Sequence, residues 1–190
     1  LPPSMETFPT RLSVNVNKVA TLRNARGGSV PCPVEAARRI QDWGADGITV
    51  HPRPDARHIT YDDVRALRPV VHTEFNIEGY PSKDFVELVL DVRPEQVTLV
   101  PDPPDALTSN AGWDTLAEAD RLQPVLSRFR EAGIRTSLFI ETDDARIRAA
   151  AHLGADRIEL YTEAFAVTYS RDPQSAVAPV SYTHLRAHET

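Results

Sequence analysis

Hydrophobic and polar positions follow two alternating periods along most of the chain. Short apolar runs rich in Val, Ile and Leu are separated by longer segments with an apolar residue at every third or fourth position. The first pattern is typical of buried strands and the second of amphipathic helices. Strands and helices are therefore predicted in regular alternation, which indicates a parallel sheet covered by helices.

Six strands are predicted, each followed by a helix or a connection. The strands are expected at 12–17, 47–51, 73–78, 96–100, 135–140 and 157–161, and the helices at 34–43, 61–70, 83–92, 114–132 and 143–153, with another connection from 162 to about 170. Segment 18–30 is predicted to be an irregular loop. Segment 101–113 is predicted to be a long loop, a feature that is often functional in compact domains.

Two architectures fit this alternation, a doubly wound sheet and a (β/α)8 barrel. Polar residues fall near the ends of most of the predicted strands, at Asn15, Asn17, His51, Arg53, Asn76, Glu78, Glu141 and Glu159. A barrel recruits its site from many strand ends, whereas a doubly wound sheet concentrates it at one switch point. No Gly-x-Gly-x-x-Gly follows the first strand, which also disfavours a dinucleotide fold. The predicted class is therefore an α/β fold of the TIM-barrel type.

The length changes this picture. A typical barrel needs about 250 residues, whereas this chain has 190 and supplies about six βα units. We divide the chain into an N-terminal extension at 1–11, a partial TIM-barrel domain at 12–180 and a tail at 181–190. The tail, SYTHLRAHET, has neither helical nor strand periodicity and is expected to be foreign to the native protein.

The composition of the chain limits the kinds of partner that it is expected to bind. The formal net charge of −6, without a long basic run, disfavours a nucleic-acid binder. A single cysteine, Cys32, excludes an internal disulfide and fits a reducing compartment. No apolar run approaches the roughly 18 residues of a membrane span. We therefore expect no nucleic-acid or membrane partner, and we predict a cytoplasmic location.

The strongest chemical signal follows the second strand. His51 ends a buried β-branched run, and segment 52–58 adds two prolines, two arginines and a second histidine. Histidine titrates near neutral pH and arginine binds anions, so the pattern predicts proton transfer on an anionic substrate. One alternative is that His51 is a hydrogen-bonded core residue. Another is a metal site at His51, His58 and Glu78, which no metal-ligand spacing supports.

Two carboxylates also end apolar strands. Burial would raise the pKa of Glu78 and of Glu159 and make each a usable base, although an ion pair with an arginine is the alternative for both. Glu74 points to the same face as Glu78, and we favour Glu78 because it lies nearer the carboxyl end of the strand. Arg26, followed by Gly27–Gly28, could bind a phosphate with guanidinium and backbone together, or lie in a solvated loop.

Six ordered motifs carry a family resemblance. They are VNVNKVATLRNARG at 14–27, GADGITVHPRPDARH at 44–58, NIE at 76–78, TSNAGWD at 108–114, SLFI at 137–140 and RIELYT at 157–162. Together they resemble the pyridoxine 5'-phosphate synthase family of vitamin B6 biosynthesis, over 12–180. The resemblance implies a (β/α)8 barrel, usually a homo-octamer, without redox cofactor or catalytic metal. It implies a transferase that condenses 1-deoxy-D-xylulose 5-phosphate with 3-amino-2-oxopropyl phosphate, giving pyridoxine 5'-phosphate, phosphate and water.

The resemblance also implies roles for individual residues. Three are catalytic: His51 and Glu78 as proton acceptors, and Glu159 as the group that stabilises charge in the transition state. Asn15 and Arg26 are implied to contact the aminooxopropyl phosphate, and Asn17, Lys18, Arg53, His58 and Thr108 to contact deoxyxylulose phosphate. Many family members carry Asp-His where this chain has Asn17-Lys18.

The family continues past Val180 with two further βα units. Those units carry a proton-donating histidine and a second phosphate site, and the tail at 181–190 does not match them. We therefore expect the 190-residue chain by itself to be inactive or nearly so, and assign no role to His184 or His188. The alternatives are another phosphate-handling barrel lyase and a non-catalytic fragment that binds phosphorylated ligands weakly.

Overall fold

Six strands form a single sheet in the computed structural model, which describes residues 10–102 and 111–173. The strands are β1 (Ser13–Asn15), β2 (Gly47–Val50), β3 (Glu74–Gly79), β4 (Gln96–Leu99), β5 (Arg135–Glu141) and β6 (Arg157–Tyr161). The helices in these ranges are α1 (Asn17–Arg26), α2 (Pro33–Asp42), α3 (Tyr61–Leu67), α4 (Lys83–Val92), α5 (Ala119–Glu131), α6 (Asp144–His152) and α7 (Glu163–Arg171).

The strand order identifies the architecture. Each strand pairs in parallel with the next one along the chain, from β1 to β6. A doubly wound sheet would reverse this order at its switch point. The sheet is also curled: side chains of Glu74 on β3 and Arg157 on β6 meet at 3.3 Å, although strands three apart would be about 14 Å apart in a flat sheet. The predicted partial TIM-barrel fold is confirmed.

The two faces of the sheet differ in polarity. Fully buried apolar side chains, among them Ile48, Phe75 and Leu138, cover the outer face and pack in the core with the helices. The alternate positions are polar, as at Thr49 and Asn76, and they line the concave inner face. Because successive side chains of a strand point to opposite faces, the carboxyl end of each strand presents its polar group at the inner rim.

Side-chain caps mark the starts of three helices. Thr60 and Asp63 form a reciprocal capping box at the start of α3, and the Ser82 hydroxyl accepts the backbone N–H of Phe85 at the start of α4. Asp143 caps α6 in the same way. Each cap satisfies a backbone donor that the first helical turn leaves without a partner. The predicted bounds of α4 and β6 are confirmed to the residue.

The irregular loop predicted at 18–30 is wrong, because α1 occupies Asn17–Arg26. This helix is polar on almost all sides and buries only Ala20 completely, so it lacks the apolar stripe by which a helix is recognised. Gly27 ends it in a left-handed conformation with φ 63°. As a result β1 ends at Asn15, two residues earlier than predicted.

The helix predicted from residue 114 begins later, at Ala119. The Asp114 carboxylate accepts the backbone N–H groups of Leu116 and Ala117, which holds this segment in turns instead of a helix. Residues 1–9 of the predicted extension at 1–11, and the whole tail at 181–190, lie outside the described residues, so the division of the chain remains a prediction. Within 10–102 and 111–173, no helix is long and apolar enough to cross a membrane.

Candidate active site

A chain of hydrogen bonds joins the ends of β1 and β2 at the rim. The side-chain oxygen of Asn15 accepts the backbone N–H of Asn17 at 2.9 Å. The side-chain oxygen of Asn17 in turn accepts the backbone N–H of His51, also at 2.9 Å. Three predicted site residues are therefore held together. The contact to His51 uses only an oxygen of residue 17, so an aspartate there could accept the same bond.

His51 is buried beside Glu78. Its Nδ1 lies 4.0 Å from Oε2 of Glu78, and both side chains are 16% exposed. Burial, and then the positive charge of Arg53, lower the pKa of His51 to about 4. The imidazole is therefore neutral at pH 7 and can accept a proton.

Glu78 has the opposite shift. Burial, reinforced by the charge of Glu159, raises the pKa of Glu78 to about 8. Burial also raises the pKa of Glu159, and the two carboxyl groups resist ionising together. Glu78 therefore holds a proton at pH 7. Glu78 and His51 are therefore both uncharged where they contact each other, and they do not form an ion pair.

The loop after β2 adds cationic and imidazole groups. Arg53 is 8% exposed, and the rings of His51 and His58 lie 6.2 Å apart between centroids. Burial first, and then Arg53, lower the pKa of His58, and the charge of the exposed Lys18 acts in the same direction. This sector of the rim is positively charged, which suits a phosphate.

One predicted site residue, Arg26, is not brought into this cluster. Arg26 is exposed in the last turn of α1, about 13 Å along the helix from Asn17 at 1.5 Å per residue. In the described ranges it makes no hydrogen bond or ion pair with another predicted site residue. Thr108 lies outside the described residues.

Glu141 also ends a strand, but it is engaged elsewhere. Its carboxylate accepts a 2.8 Å bond from Arg146 of α6. Arg146 also contacts Asp114 at 3.4 Å. Glu141 is therefore part of a partly exposed ion-pair group with Arg146 and Asp114.

Glu74 and Glu78 lie at different depths in the barrel, and this difference shows which of them belongs to the candidate site. Both lie on the inner face of β3, as their even spacing predicted. Glu74 lies at the amino end of the strand, where its carboxylate binds the guanidinium groups of Arg135 and Arg157. Glu78 lies at the carboxyl end beside His51. Glu74 is paired with two arginines, whereas burial raises the pKa of Glu78.

Between these two levels lies a polar layer, of which only Asn76 was predicted from the sequence. The side-chain oxygen of Asn76 accepts bonds from Thr98 at 3.0 Å and from Gln96 at 3.3 Å. The Asn76 amide donates to Thr49 at 3.4 Å. The signal in the sequence was the polar residue at alternate positions of each strand.

A metal site at His51, His58 and Glu78 finds no support. Across 10–102 and 111–173, no three or more His, Cys, Asp or Glu side chains are grouped so that they could hold a metal ion.

The sequence matches a known protein family. Its profile is described as "Pyridoxal phosphate biosynthesis protein PdxJ" and matches residues 12–190. A Bacteroides fragilis protein named pyridoxine 5'-phosphate synthase is 62% identical over 170 residues, which make up 90% of this chain and 72% of that protein. A protein of the same name from Christiangramia forsetii is 56% identical over 180 residues, or 95% of this chain and 76% of that protein.

Solved structures support the fold alone. A mandelate oxidase mutant with an FMN adduct aligns with a TM-score of 0.51 at 13% identity, over 80% of this chain and 64% of that one. A mandelate oxidase mutant with (S)-mandelic acid gives 0.52 at 12% identity, over 77% and 53%.

Proposed function

The chain belongs to the PdxJ family of pyridoxal phosphate biosynthesis proteins, and from this we propose that it is a pyridoxine 5'-phosphate synthase. The enzyme would condense 1-deoxy-D-xylulose 5-phosphate with 3-amino-2-oxopropyl phosphate. The observation that carries this proposal is the neutral His51 lying 4.0 Å from the buried Glu78, at a rim that also holds Arg53 and His58.

The rim supports binding of phosphorylated substrates. Arg53, Lys18 and His58 supply donors at one sector, where the sugar phosphate would bind together with Asn17 and Thr108. Asn15 and Arg26 would contact the aminooxopropyl phosphate. Arginine and lysine form charge-assisted hydrogen bonds with phosphate oxygens. The exposed position of Arg26 requires its long side chain, or the bound substrate, to bridge to the cluster.

The protonation states support the chemistry. When the amine attacks the ketone carbon, the carbonyl oxygen leaves as water, so one group must give protons and another must take them. His51 is neutral and can take a proton, whereas Glu78 holds one and becomes an acceptor after giving it to the leaving oxygen. Glu159, on the same inner face, would stabilise positive charge that develops on the substrate nitrogen.

Turnover tests the proposal. The 190-residue chain, and a chimera in which 181–190 is replaced by the C-terminal remainder of the Bacteroides fragilis relative, are incubated with both substrates and assayed for pyridoxine 5'-phosphate. We expect turnover by the chimera and little or none by the 190-residue chain. A chimera that folds and binds both substrates without forming product would contradict the proposal.

A substitution tests the role of Glu78. Glu78→Gln keeps the shape but cannot transfer a proton, so turnover by the active protein should fall by about 10²–10⁴-fold. The dissociation constant for deoxyxylulose phosphate should stay within about twofold, since no phosphate contact is removed. Glu87→Gln, on the exposed side of α4, is the matched control. Full activity in Glu78→Gln would remove Glu78 from the mechanism.

Three further points belong to the same proposal. We infer a cytoplasmic location, supported by the single cysteine and by the nature of the substrates. We infer a homo-octamer, supported by the family and checked by light scattering. The net charge of −6 supports the absence of a nucleic-acid partner. Because the relatives compared here are named synthases, a different phosphate-handling lyase is not favoured.

A further inference from the structure

The loop between β2 and α3 carries two of the proposed substrate contacts, Arg53 and His58. Ala56, in the middle of this loop, has a φ of 51°. A residue with a Cβ rarely adopts this left-handed conformation, at a cost of about 1 kcal/mol or more. The loop therefore needs contacts from outside that hold it in place. The structure supplies them from α1.

Arg23 of α1 is paired with Asp63 of α3. Two guanidinium nitrogens reach the two carboxylate oxygens at 2.5 and 2.8 Å, and the side chains are 16% and 13% exposed. The same guanidinium donates to the backbone carbonyl of His58 at 3.4 Å. The parallel two-bond geometry fixes the direction of the arginine fork as well as its distance.

Asn24, the next residue, holds the loop itself. Its amide nitrogen donates to the backbone carbonyls of His58 at 2.9 Å and of Ala56 at 3.3 Å. Its side-chain oxygen accepts a 3.0 Å bond from Nε of Arg23. Since both carbonyls need a donor and Arg23 needs an acceptor, the amide has one satisfactory orientation. Arg23 therefore orients Asn24.

His58 is fixed at both its ends by this arrangement. Its carbonyl is held by Arg23 and Asn24, and its Nδ1 lies 2.9 Å from the backbone N–H of Ile59. A backbone N–H can only donate, so Nδ1 is the acceptor and the neutral ring carries its proton on Nε2. The remaining ring position is thus a donor of defined direction, which is what a phosphate oxygen requires.

We propose that Arg23 and Asn24 are positioning residues of the substrate site, which hold the carbonyls of Ala56 and His58 and so keep the His58 imidazole as an Nε2–H donor. They contact neither substrate and act through the loop. The identity of the ligand as deoxyxylulose phosphate rests on the proposed function, whereas the state of the imidazole can be measured without it.

The first measurement is the nitrogen-15 NMR spectrum of the histidine rings at pH 7. In the wild type, His58 should show one bare Nδ1 and one protonated Nε2. Asn24→Ala, and Asn24→Asp, which keeps the size and the contact with Arg23 but cannot donate, should both move the two nitrogens toward the average of exchanging tautomers. Arg39→Ala, which breaks an exposed pair on α2, is the matched control and should leave the spectrum unchanged.

The second measurement is the dissociation constant for deoxyxylulose phosphate. It should rise about tenfold in Asn24→Ala and Asn24→Asp, as expected for loss of an orienting hydrogen bond, and it should not change in Arg39→Ala. Arg23→Lys keeps the charge but loses the two-bond geometry, so its affinity should fall between wild type and Arg23→Ala.

The outcomes separate the two ideas. If both Asn24 variants keep the wild-type His58 spectrum and the wild-type affinity, the positioning role is wrong. If the His58 spectrum responds as expected but the wild type does not bind deoxyxylulose phosphate, the positioning role stands and the proposed function fails.

Discussion

At the scale of single residues, burial decides the chemistry of the site. His51 and Glu78 are close enough to be taken for an ion pair, yet each is stabilised in its neutral form. Removing a charge from water costs more than a contact at 4.0 Å returns, because the contact lacks the hydrogen bonds of a good pair. Both groups are therefore in protonation states that allow proton transfer, in which His51 can accept a proton and Glu78 can donate one.

The same burial means that an ionised Glu78 lowers the stability of the fold. Its pKa is raised to about 8 in the folded protein, so between its ordinary value and 8 the unfolded chain releases a proton that the folded chain keeps. Stability therefore falls as the pH rises through this window. Glu78→Gln should stabilise the protein by about 4 kcal/mol at pH 8 and by little at pH 4.5, as measured by urea unfolding. An equal gain at both pH values would contradict this assignment.

Arg53 should control the titration of His51. Because the pKa of His51 is lowered first by burial and next by the charge of Arg53, Arg53→Gln should move it upward from about 4 toward its ordinary value of 6.5. The imidazole proton shifts, followed by NMR from pH 3 to 8, measure the change. Arg39→Gln, on the exposed surface of α2, serves as the control and should leave the titration of His51 where it is.

At the scale of elements, the polar helix α1 positions the end of β2 and the loop that follows it, a role that its sequence pattern does not predict. It contributes little to the core, since only Ala20 is completely buried. Instead, its first residue holds β2 through His51, and its last turns hold the loop that follows β2. Apart from Ala20 and the partly buried Val19, this helix packs few apolar side chains on the core and is also held by these hydrogen bonds, which is why a search for an apolar stripe does not find it.

Gly112 allows the segment before α5 to pack closely against β5. Trp113 donates its backbone N–H to the carbonyl of Phe139 at 2.8 Å and its indole N–H to that of Leu99 at 2.9 Å. A Cβ at Gly112 would lie 2.4 Å from the backbone of Ile140. A side chain there would push the segment off the strand.

Gly112→Ala should therefore destabilise the protein by about 1–3 kcal/mol, the usual cost of overpacking. Gly28→Ala is the control, because a Cβ there would meet nothing within 4 Å and no left-handed backbone is required. Thermal unfolding of the two variants measures the difference. Equal melting temperatures would mean that the segment adapts without cost.

At the scale of the whole molecule, the curl of the sheet brings distant strands into contact at the base of the barrel. Glu74 of β3 binds Arg135 of β5 and Arg157 of β6, and Gln96 of β4 accepts bonds from both arginines at 3.0 Å. This cluster joins four strands across the inner face. It is only partly exposed, so its charges are less screened than those at the surface.

Glu74→Gln should cost about 1–2 kcal/mol of unfolding free energy, because two half-buried guanidinium groups lose their counter-charge. Glu35→Gln removes an exposed pair within α2 and should cost about 0.3–0.5 kcal/mol. Urea unfolding at low and high salt compares them. If Glu74→Gln were as mild as Glu35→Gln, the base cluster would have no structural role.

How far the sequence predicts each element depends on where its signals lie. α4 is bounded by the Ser82 cap and by Pro94, so its limits follow from neighbouring residues. The turns after Asp114 depend on which backbone groups its carboxylate reaches, and the polar α1 depends on contacts with a loop more than 30 residues away. Local patterns contain neither kind of information.

The sequence by itself determined the alternation of strands and helices, the parallel barrel class and the arrival of His51, Glu78 and Glu159 at strand ends, because side-chain period and helix caps are local properties. Only the tertiary structure decided that Glu78 is protonated while Glu74 is ion-paired, and that Arg23 meets Asp63, forty residues further along the chain. Burial and long-range pairing arise when the sheet curls and distant segments pack together, and no single segment specifies them.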